Sequence, residues 1–507
     1  MSFRNDSTHQ RNTHMKHNRK NPLLRLISPS STRAAMGVFF ASALMAVASN
    51  LTWDANGVAP TVTNGAGVWD TSSLQWWNGA DTVAWTNGNT AIIGTNPVAG
   101  AGGSISLVDQ VNIAVSGLQV ADNGDSTNHT VALPASGTAT LSVGAGGIAA
   151  ADGLTIAAPV LLGADQSWSR NAGGNGALTV TGALDDNFVA RSLNLSSSLG
   201  ATTVGLILRG PGFHEGTTTI NDGYFQIRHD AVGTSAITLN GTLGSAQRIQ
   251  FVNAAGTGTS GTLVNPISVN AGKEGNFFIW GSFTTTVNQA IAGGDATSVI
   301  RKTDVGTLLL SANNTYNAQT IVDAGTLQLG SGGTTGAINS SAALAINGSG
   351  ILSVNRSGSI NLSDVLPGTA GDVLPIFGAA DARLNYTGTS QADTLTVDQD
   401  LGSNLANGQL RVSSGTMTLA SGVDLTMRSI SVGHTTAASG NIGTLNVGTG
   451  VNVTLTPAAT SVAAISLGDS GGNAGIMNVT GGSVITNSTA AGSIRVGHWA
   501  GTGSVLN

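Results

Sequence analysis

The chain has 507 residues, of which 40% are hydrophobic and only 9% are charged. This balance excludes a charge-solvated disordered chain, and the absence of cysteine excludes disulfides, thiolate metal sites and cysteine nucleophiles. The sequence contains only two glutamates and four lysines, whereas Thr, Val and Ile are plentiful. Strand formers therefore outweigh the residues that favour surface helices, and we predict an all-β fold.

The N-terminal segment, 1–48, is typical of an export signal. Seven of the 20 basic residues precede position 34, and only Asp6 opposes them. Residues 34–48, AAMGVFFASALMAVA, form an apolar run that is short for a membrane span and ends in the small residues Ala46-Val47-Ala48. We therefore predict a signal peptide with a long basic n-region at 1–48. The rest of the chain carries 13 basic and 25 acidic residues, which argues against nucleic acid as a partner.

Residues 49–95 are rich in tryptophan. They hold five of the eight tryptophans of the chain: Trp53, Trp69, Trp76, Trp77 and Trp85. We interpret this segment as an N-terminal cap, in which large aromatics cover the first rung of a repeat stack. A platform that binds sugars is the alternative.

Residues 96–425 and 426–507 share one texture, in which short runs of Val, Leu, Ile and Thr end at Gly, Asn, Asp or Ser-Gly. Period-two alternation between turn residues predicts strands. A unit that reads Gly, Thr or a substitute, apolar, any, apolar begins at Gly325, Gly415, Gly443 and Gly475. The first interval is close to three times either of the others, which indicates a repeat of about 30 residues, a length typical of stacked repeats. A second series, ISVGH, ISLGD and IRVGH, begins at Ile430, Ile465 and Ile494.

Units of this size cannot bury an apolar face alone, so they must stack on their neighbours. Two stacked architectures compete, a parallel β-helix and a β-propeller with blades of about 40 residues. The shorter unit, the small inward residues and the corners rich in Asn and Gly favour a parallel β-helix. In such a helix stacked Asn side chains hydrogen-bond from rung to rung, and Gly supplies the positive φ of the corners.

Residues 301–330, RKTDVGTLLLSANNTYNAQTIVDAGTLQLG, resemble the autotransporter-associated β-strand repeat, also called the passenger-associated transport repeat. Residues 205–227 resemble a degenerate copy with Phe213 near the tyrosine position, and the Trp-rich opening resembles the start of long exported proteins with these repeats. The positions that match in the clear copy are Gly306, Thr307, Leu308, Leu310, Asn314, Thr315, Tyr316, Thr320, Gly325, Thr326, Leu327 and Gly330.

The resemblance implies a right-handed β-helical passenger that is displayed on, or shed from, a Gram-negative-type cell surface. The repeat is expected to assist transport and folding, and it names no catalytic residue. The final GTGSVLN resembles an unfinished GTLNV unit. We therefore expect 426–507 to be further β-helix repeats that are truncated, with neither a membrane barrel nor a sorting helix in the sequence shown.

The pentapeptide GDSGG, at 468–472, matches the sequence around the nucleophile of chymotrypsin-like proteases. Such a serine needs a histidine base, an orienting carboxylate and an oxyanion hole. No histidine here lies in the context which that family uses, and the pentapeptide aligns with the repeat turns that follow Ile430 and Ile494. We therefore interpret Ser470 as a turn residue and predict that the chain is not an enzyme.

Two groups of polar residues raise other hypotheses. His434, His498 and Asp469 occupy equivalent repeat positions, but two imidazoles and one carboxylate are few ligands for a metal, so we interpret them as solvated turn residues. Asp185 and Asp186 resemble the acid pairs of β-helical pectin-cleaving enzymes. Adjacent residues of a strand point to opposite faces, so this pair is not expected to converge and is interpreted as turn acids.

Two glycine-rich stretches complete the search for binding motifs. SGGTTG near Gly332 lacks the lysine of a phosphate loop, and GGDATS at Gly293 does not continue into a calcium-binding repeat. We therefore predict no catalytic, metal or cofactor-binding residue.

The sequence favours an exported, non-catalytic surface or secreted passenger with a structural or adhesin-like role. Surface glycans or host and matrix surfaces, together with the secretion machinery, are the expected partners; nucleic acid is not, and no transmembrane segment is expected in the mature chain. A β-helical carbohydrate-active enzyme or a sugar-binding surface protein is the alternative. The mark of such an enzyme would be two or three acids that converge with a basic residue on one exposed face.

Overall fold

The computed structural model describes residues 48–94, 102–108, 110–121, 128–133, 137–200, 202–245, 247–338, 340–367, 376–377, 382–399, 401, 408–434, 440–457, 463–468, 473–486, 494–497 and 503–507. The predicted signal peptide, apart from Ala48, lies outside these residues. From Ala48 onward the chain belongs to one unit.

Short strands form the cap, and they include antiparallel pairs. β3 pairs antiparallel with both β1 and β4, whereas β1 also pairs with β5 in parallel. β5 pairs in parallel with β7 (Ile113–Val120), and this pairing connects the cap to the coils that follow. The strands are β1 (Asn50–Trp53), β2 (Gly67–Trp69), β3 (Trp76–Trp77), β4 (Thr82–Val83) and β5 (Thr90–Ile93).

Four of the five cap tryptophans form a buried cluster: Trp53, Trp69, Trp76 and Trp85 are at most 2% exposed. Their ring centroids lie 4.7–5.3 Å apart in tilted and edge-to-face pairs. Such pairs add to the stabilisation that comes from burying the rings. A buried indole offers no free face to a sugar, so the cap interpretation holds for these four residues; Trp77 is half-buried.

The central strands coil in parallel. Among the strand pairs of the described residues, β20 with β24 is the only antiparallel pair outside the cap. The strands are β6 (Ser104–Leu107), β7 (Ile113–Val120), β8 (His129–Ala132), β9 (Leu141–Ala150), β10 (Leu154–Ile156), β11 (Val160–Leu162), β12 (Gln166–Arg170), β13 (Leu178–Val180), β14 (Leu184–Asp185), β15 (Leu193–Ser197), β16 (Leu206–Leu208), β17 (Thr217–Ile220), β18 (Tyr224–Arg228), β19 (Ala236–Leu239), β20 (Gly241–Thr242), β21 (Arg248–Val252), β22 (Gly261–Leu263), β23 (Ile267–Val269), β24 (Lys273–Phe278), β25 (Thr284–Val287) and β26 (Ile291–Gly293).

The later strands continue the same coil, and one 3-10 turn, Leu362–Asp364, is the single helical element among the described residues. The strands are β27 (Val299–Thr303), β28 (Thr307–Leu310), β29 (Gln319–Val322), β30 (Thr326–Leu329), β31 (Ala343–Ile346), β32 (Ile351–Val354), β33 (Ser359–Asn361), β34 (Ile376–Phe377), β35 (Arg383–Thr387), β36 (Thr394–Val397), β37 (Gln409–Leu419), β38 (Asp424–Met427), β39 (Ser429–Val432), β40 (Ile442–Val447), β41 (Asn452–Leu455), β42 (Ile465–Leu467), β43 (Ala474–Val479), β44 (Ser483–Thr486), β45 (Ile494–Val496) and β46 (Val505–Leu506).

Three long sheets line the coil. The first runs from β4 to β26, the second from β2 to β34, and the third from β22 through β45, with β46 on a side branch; β38, β41 and β44 form a small fourth sheet. Over much of the coil, successive strands of the chain lie in different sheets and pair with the equivalent strands of the next coil, although some neighbours in sequence, such as β11 and β12, share a sheet. This is a parallel β-helix, as the sequence predicted.

The core consists of like residues stacked along the axis. In the third sheet one inward column is aliphatic over seven successive levels, from β28 to β42, and these seven residues are at most 3% exposed. Each fully buried Leu or Ile contributes about 1.5–3 kcal/mol, so such a column is a large share of the driving force for stacking. The column is Leu308, Leu327, Leu352, Leu384, Leu410, Ile430 and Ile465.

The predicted repeat registers are confirmed at the C-terminal end. Gly415 pairs with Gly443, and Gly443 pairs with Gly475. The second series also pairs in order, from Ile430 through Ile465 to Ile494. We call the coils that contain β37, β40 and β43 the C-terminal stack.

The predicted equivalence of Gly325 with this stack was wrong. Thr326, next to Gly325, is followed along its column by Ile351, Arg383 and Gln409, so three levels do separate it from β37. That column meets β37 at Gln409, the first residue of the strand, whereas Gly415 lies farther along β37, where the strand pairs with β40. Gly325 and Gly415 are therefore not equivalent positions. Because the coils differ in length, the same motif lies on different faces of the helix. The coil from Leu308 to Leu327 contains little more than half as many residues as the coil from Ile430 to Ile465.

Candidate functional site: a tight repeat coil and a cationic groove

The segment recognised in the sequence, residues 301–330, folds as one tight coil, which we call the repeat coil. Its first GTL unit, in β28, pairs with its second, in β30, so that Thr307 lies beside Thr326 and Leu310 beside Leu329. β29 crosses the second sheet between them. The two ends of the motif are therefore neighbours in space, one coil apart.

Asn314 holds the corner between β28 and β29. Its side chain is 3% exposed. Nδ2 donates to the carbonyls of Ala312 (3.0 Å) and Ala337 (2.9 Å), and Oδ1 accepts from the Ile291 amide (2.9 Å). One amide side chain thus joins the coil before it to the coil after it, and it satisfies backbone groups that would otherwise be buried without partners.

Tyr316 and Thr320 form a second buried connection. The Tyr316 ring is fully buried, and its hydroxyl lies 2.8 Å from Thr320 Oγ1. Thr320 Oγ1 in turn lies 2.9 Å from Ser341 Oγ in the next coil. Burial raises the pKa of Tyr316 above its ordinary value, so the phenol stays protonated and available as a donor. The chain of hydroxyls fixes the position of one coil above the next.

Lys302 closes the other corner of the repeat coil. It is 1% exposed, and its Nζ donates to the carbonyls of Thr303 (2.9 Å), Asp304 (2.6 Å) and Ala324 (3.1 Å). Burial lowers the pKa of Lys302 to about 7, against a partly compensating attraction from Asp304. Gly325 completes this corner with φ +68°, and a Cβ there would lie 2.3 Å from the Asp304 carbonyl oxygen.

The degenerate copy, residues 205–227, has the same internal step. Leu206 pairs with Phe225, an interval equal to the one from Leu308 to Leu327. Thr218 Oγ1 lies 2.9 Å from Ser235 Oγ in the next coil, the kind of contact that Thr320 makes in the repeat coil.

The prediction that Phe213 lies near the tyrosine position of this copy needs a correction. Phe213 is 52% exposed, whereas the next residue, His214, is fully buried. His214 stands four positions before Thr218, as Tyr316 stands before Thr320. The degenerate copy departs from the motif at several positions, and this made the alignment ambiguous by one position.

Asp185 and Asp186 point apart, as expected, but they are not both solvated turn acids. Asp185 is half-buried, whereas Asp186 is 1% exposed. Asp186 Oδ2 accepts from His214 Nδ1 (3.2 Å) and from the amide of Glu215 (2.9 Å). Burial alone would raise the pKa of Asp186, but the backbone amides and the His214 ring together lower it. This contact holds a corner in place, and no sequence pattern signals the burial of Asp186.

Glu274, Asp323 and Arg301 form a group of two acids and one basic residue, the composition expected of a carbohydrate-active enzyme. Arg301 Nε donates to Glu274 (2.6 Å), and its Nη1 donates to Asp323 (2.8 Å). The remaining oxygens are also occupied, since Glu274 Oε2 accepts from the Gly244 amide (3.1 Å) and Asp323 Oδ1 from Asn347 Nδ2 (3.0 Å). Glu274 is 1% exposed. The geometry therefore suits an ion-pair brace between coils better than a pair of acids open to substrate.

A cationic groove of about 210 Å³ lies on the outer face of the third sheet. Arg383, Arg411 and His434 come from three successive levels of the coil and line it. The Nε of Arg383 is buried and has no hydrogen-bond partner among the described residues. None of the nine lining residues is acidic, and six of them have no ionisable side chain: Thr326, Ile351, Ser353, Asn385, Thr387 and Ser413.

The floor of the groove is organised by Asn385. Its Nδ2 donates to Ser353 Oγ and Thr387 Oγ1, both at 3.2 Å, and its Oδ1 accepts from Ser413 Oγ at 2.9 Å. Parallel pairing sets Asn385 beside Arg411, two positions beyond the level of Arg383. The groove is thus a preformed polar surface with positive charge on two neighbouring strands.

The structure places only part of the predicted histidine group. His434 lies in the groove, whereas His498, Asp469 and Ser470 lie outside the described residues. Within the part that the structure describes, no three His, Asp or Glu side chains are grouped so as to hold a metal. In the two glycine-rich stretches considered as binding motifs, Gly293 and Gly332 adopt positive φ values of 79° and 90°.

Sequence reasoning missed the groove. Its arginines do carry a signal, since ARLNYTG and GQLRVSSG place Arg383 and Arg411 at outward positions of alternating strands. Their interval in the sequence resembles one repeat period, yet it is not the register of the pairing, which sets Arg383 against Gln409. The two arginines lie close together because the coils around them differ in length.

The fold defines this chain as a parallel β-helix of stacked coils. Residues 300–329 match the family model of the passenger-associated-transport-repeat, so the chain carries an autotransporter-associated repeat. This repeat indicates the passenger domain of an autotransporter-type protein, exported to or beyond a Gram-negative cell surface. No curated protein and no solved structure matches the chain significantly. No helix in the described part of the chain is long and apolar enough to cross a membrane.

Proposed function

We propose that this chain is an exported, non-catalytic passenger whose β-helix acts as a structural or adhesive element of the cell surface. The repeat coil carries the proposal, because its motif matches a transport-associated family over residues 300–329. We further propose that this coil assists folding during export. It closes in one short step, from Leu308 to Leu327, and satisfies its buried polar groups with its own side chains, so it is suited to seed the stacking of later coils.

Deletion of one whole coil tests the role in export. Removal of residues 307–325 joins Gly306 to Thr326 and keeps the GTL register, because Thr307 pairs with Thr326. The matched control removes 416–443 and joins Gly415 to Thr444, which are also one coil apart. An epitope placed in the exposed turn at Gly79, which neither deletion removes, reports surface display through protease accessibility of intact Gram-negative cells.

We expect the first deletion to reduce surface display strongly and the second to reduce it little. Equal display from both would contradict a special role of the repeat coil in transport. A full-length chain that stays inside the cells would contradict the proposal of an exported passenger.

A carbohydrate-active enzyme is the second candidate, favoured by the group of Glu274, Arg301 and Asp323. The purified full chain, incubated with acidic and neutral polysaccharides, is expected to release no new reducing ends. Cleavage that is lost in both Glu274→Gln and Asp323→Asn would establish the enzyme instead. The same two variants are expected to lower thermal stability, because each leaves Arg301 with one partner.

A further inference from the structure

We propose that the cationic groove binds an acidic polysaccharide, a chain of sugars that carries carboxylate or sulfate groups. The inference rests on the proposed function, since it names the ligand of an adhesive passenger. Arg383 and Arg411 would each hold one anionic group, and Asn385 with its neighbouring hydroxyls would contact sugar hydroxyls between them.

The charge of the groove is the first argument. The chain as a whole has a formal charge of −6, yet none of the nine residues that line this groove is acidic. Arg383 has a buried Nε without a partner among the described residues, so part of its guanidinium is desolvated before any ligand binds. An anionic group in the groove can accept from the outer nitrogens of this guanidinium, and the planar donors of arginine suit carboxylate and sulfate in a forked geometry.

The spacing of the two arginines is the second argument. They lie on neighbouring parallel strands and are offset by two positions, because Asn385, rather than Arg383, pairs with Arg411. Strands about 4.8 Å apart with a rise of about 3.3 Å per residue place such positions about 8 Å from each other. Two cationic points at this distance suit an extended polyanion better than a single small ion.

The uncharged lining selects among polyanions. The groove contains three hydroxyl side chains bound to one amide, those of Ser353, Thr387 and Ser413 around Asn385. None of the nine lining residues has a phenyl, phenol or indole ring. Single-stranded nucleic acids are usually held by aromatic stacking in addition to charge, so a hydroxyl-rich floor without such rings favours sugars.

Binding of the purified full chain to immobilised polysaccharides tests the proposal. The probes are polygalacturonate for carboxylate, dextran sulfate for sulfate, unmodified dextran for the neutral backbone, and a single-stranded oligonucleotide for nucleic acid. We expect binding to at least one acidic polysaccharide that weakens with added salt and no binding to dextran. Tighter binding to the oligonucleotide, or equal binding to dextran, would overturn the proposal; the two acidic probes tell carboxylate from sulfate.

Three variants locate the binding site. Arg383→Gln with Arg411→Gln is expected to weaken binding about tenfold or more, because two charge-assisted contacts are lost. Asn385→Asp keeps the size of the side chain but puts an acid between the arginines, and we expect a similar loss. The control, Arg228→Gln with Lys273→Gln, removes the same charge from β18 and β24 of the second sheet and should change affinity less than about twofold.

Folding of each variant is checked by circular dichroism and resistance to proteolysis. Equal losses in the groove variants and the control would mean that binding follows net charge rather than this groove, and would overturn the proposal. Surface display is measured on the unsubstituted chain, alongside its polysaccharide binding. Display without polysaccharide binding would refute the groove alone, whereas binding without display would refute the exported passenger and leave the groove standing.

Discussion

The repeat coil and the C-terminal stack solve the same packing problem in different ways. The repeat coil returns to its starting face between Leu308 and Leu327, and its corners bury Lys302, Asn314 and Tyr316. The steps of the C-terminal stack, which pair GTMTL with GTLNV and GTLNV with GIMNV, are about half as long again or more. Its rungs are held by like residues stacked on like, and its Asn ladder is only half-buried.

The difference explains why the repeat coil carries a recognisable family motif. A short corner leaves backbone groups buried inside the turn, and only particular side chains reach and satisfy them. Where a connection runs over a protein surface instead, water satisfies its backbone and many sequences are compatible. The family model therefore matches residues 300–329, although the C-terminal units GTMTL and GTLNV stack in register.

The largest expected effect comes from Gly325→Val in the repeat coil. The residue has φ +68°, and a Cβ would lie 2.3 Å from the carbonyl oxygen of Asp304 and 2.4 Å from that of Gly306. Backbone strain and overlap together should lower the free energy of unfolding by about 3 kcal/mol or more. Chemical denaturation of the purified variant provides the measurement.

The matched control for this substitution is Gly422→Val. Gly422 has φ +85°, but no atom lies within 4 Å of an added Cβ. Only the backbone strain remains, so its loss should be about 1 kcal/mol. Equal losses at the two glycines would mean that the repeat coil is no more tightly packed than other turns.

Asn314→Ala should come next. The side chain makes three hydrogen bonds to backbone groups, and its loss leaves buried groups without partners. We expect a decrease of about 2–3 kcal/mol in the free energy of unfolding. The adjacent Asn313 accepts one bond, from the Gly336 amide at 3.0 Å, so Asn313→Ala should cost about 1 kcal/mol. A larger loss at Asn313 than at Asn314 would show that the corner is not fixed by the buried amide.

The stability of the repeat coil should depend on pH through Lys302. The pKa of Lys302 is lowered by burial from 10.5 to about 7. Between these values the unfolded chain holds the proton, whereas the folded chain gives it up together with one of the three Nζ donations, so raising the pH across this range should increase stability. Lys302→Met should abolish this rise, whereas Lys273→Met on β24 should retain it. Denaturation midpoints at pH 7, 8.5 and 10 provide the measurement, and a fall in wild-type stability that is unchanged in Lys302→Met would refute the assignment.

Much of the fold could be predicted from the sequence, and the parts that could not be predicted depend on the lengths of the loops between strands. Repeated GTL units predicted the β-helix and the pairing of Gly415, Gly443 and Gly475, because similar strands stack in register. The equivalence of Gly325 failed because register depends on the lengths of the intervening loops, which no motif encodes. The groove was missed for the same reason, since Arg383 and Arg411 meet across coils of different length.

The smallest expected effect is in the C-terminal stack, at Asn478. Its Nδ2 donates to Asn446 Oδ1 at 2.9 Å, and its Oδ1 accepts from Asn507 Nδ2 at 2.8 Å, which is the rung-to-rung ladder expected from the sequence. Asn446 and Asn478 are half-buried and Asn507 is exposed, so water replaces the lost bonds, and Asn478→Ala should lower the free energy of unfolding by only about 0.5–1 kcal/mol. A double-mutant cycle with Asn446→Ala should give a coupling of about 0.5 kcal/mol.

A loss at Asn478 as large as that at Asn314 would mean that half-buried ladders fix these coils as firmly as buried corners do. The contrast between the two regions would then come from loop length alone.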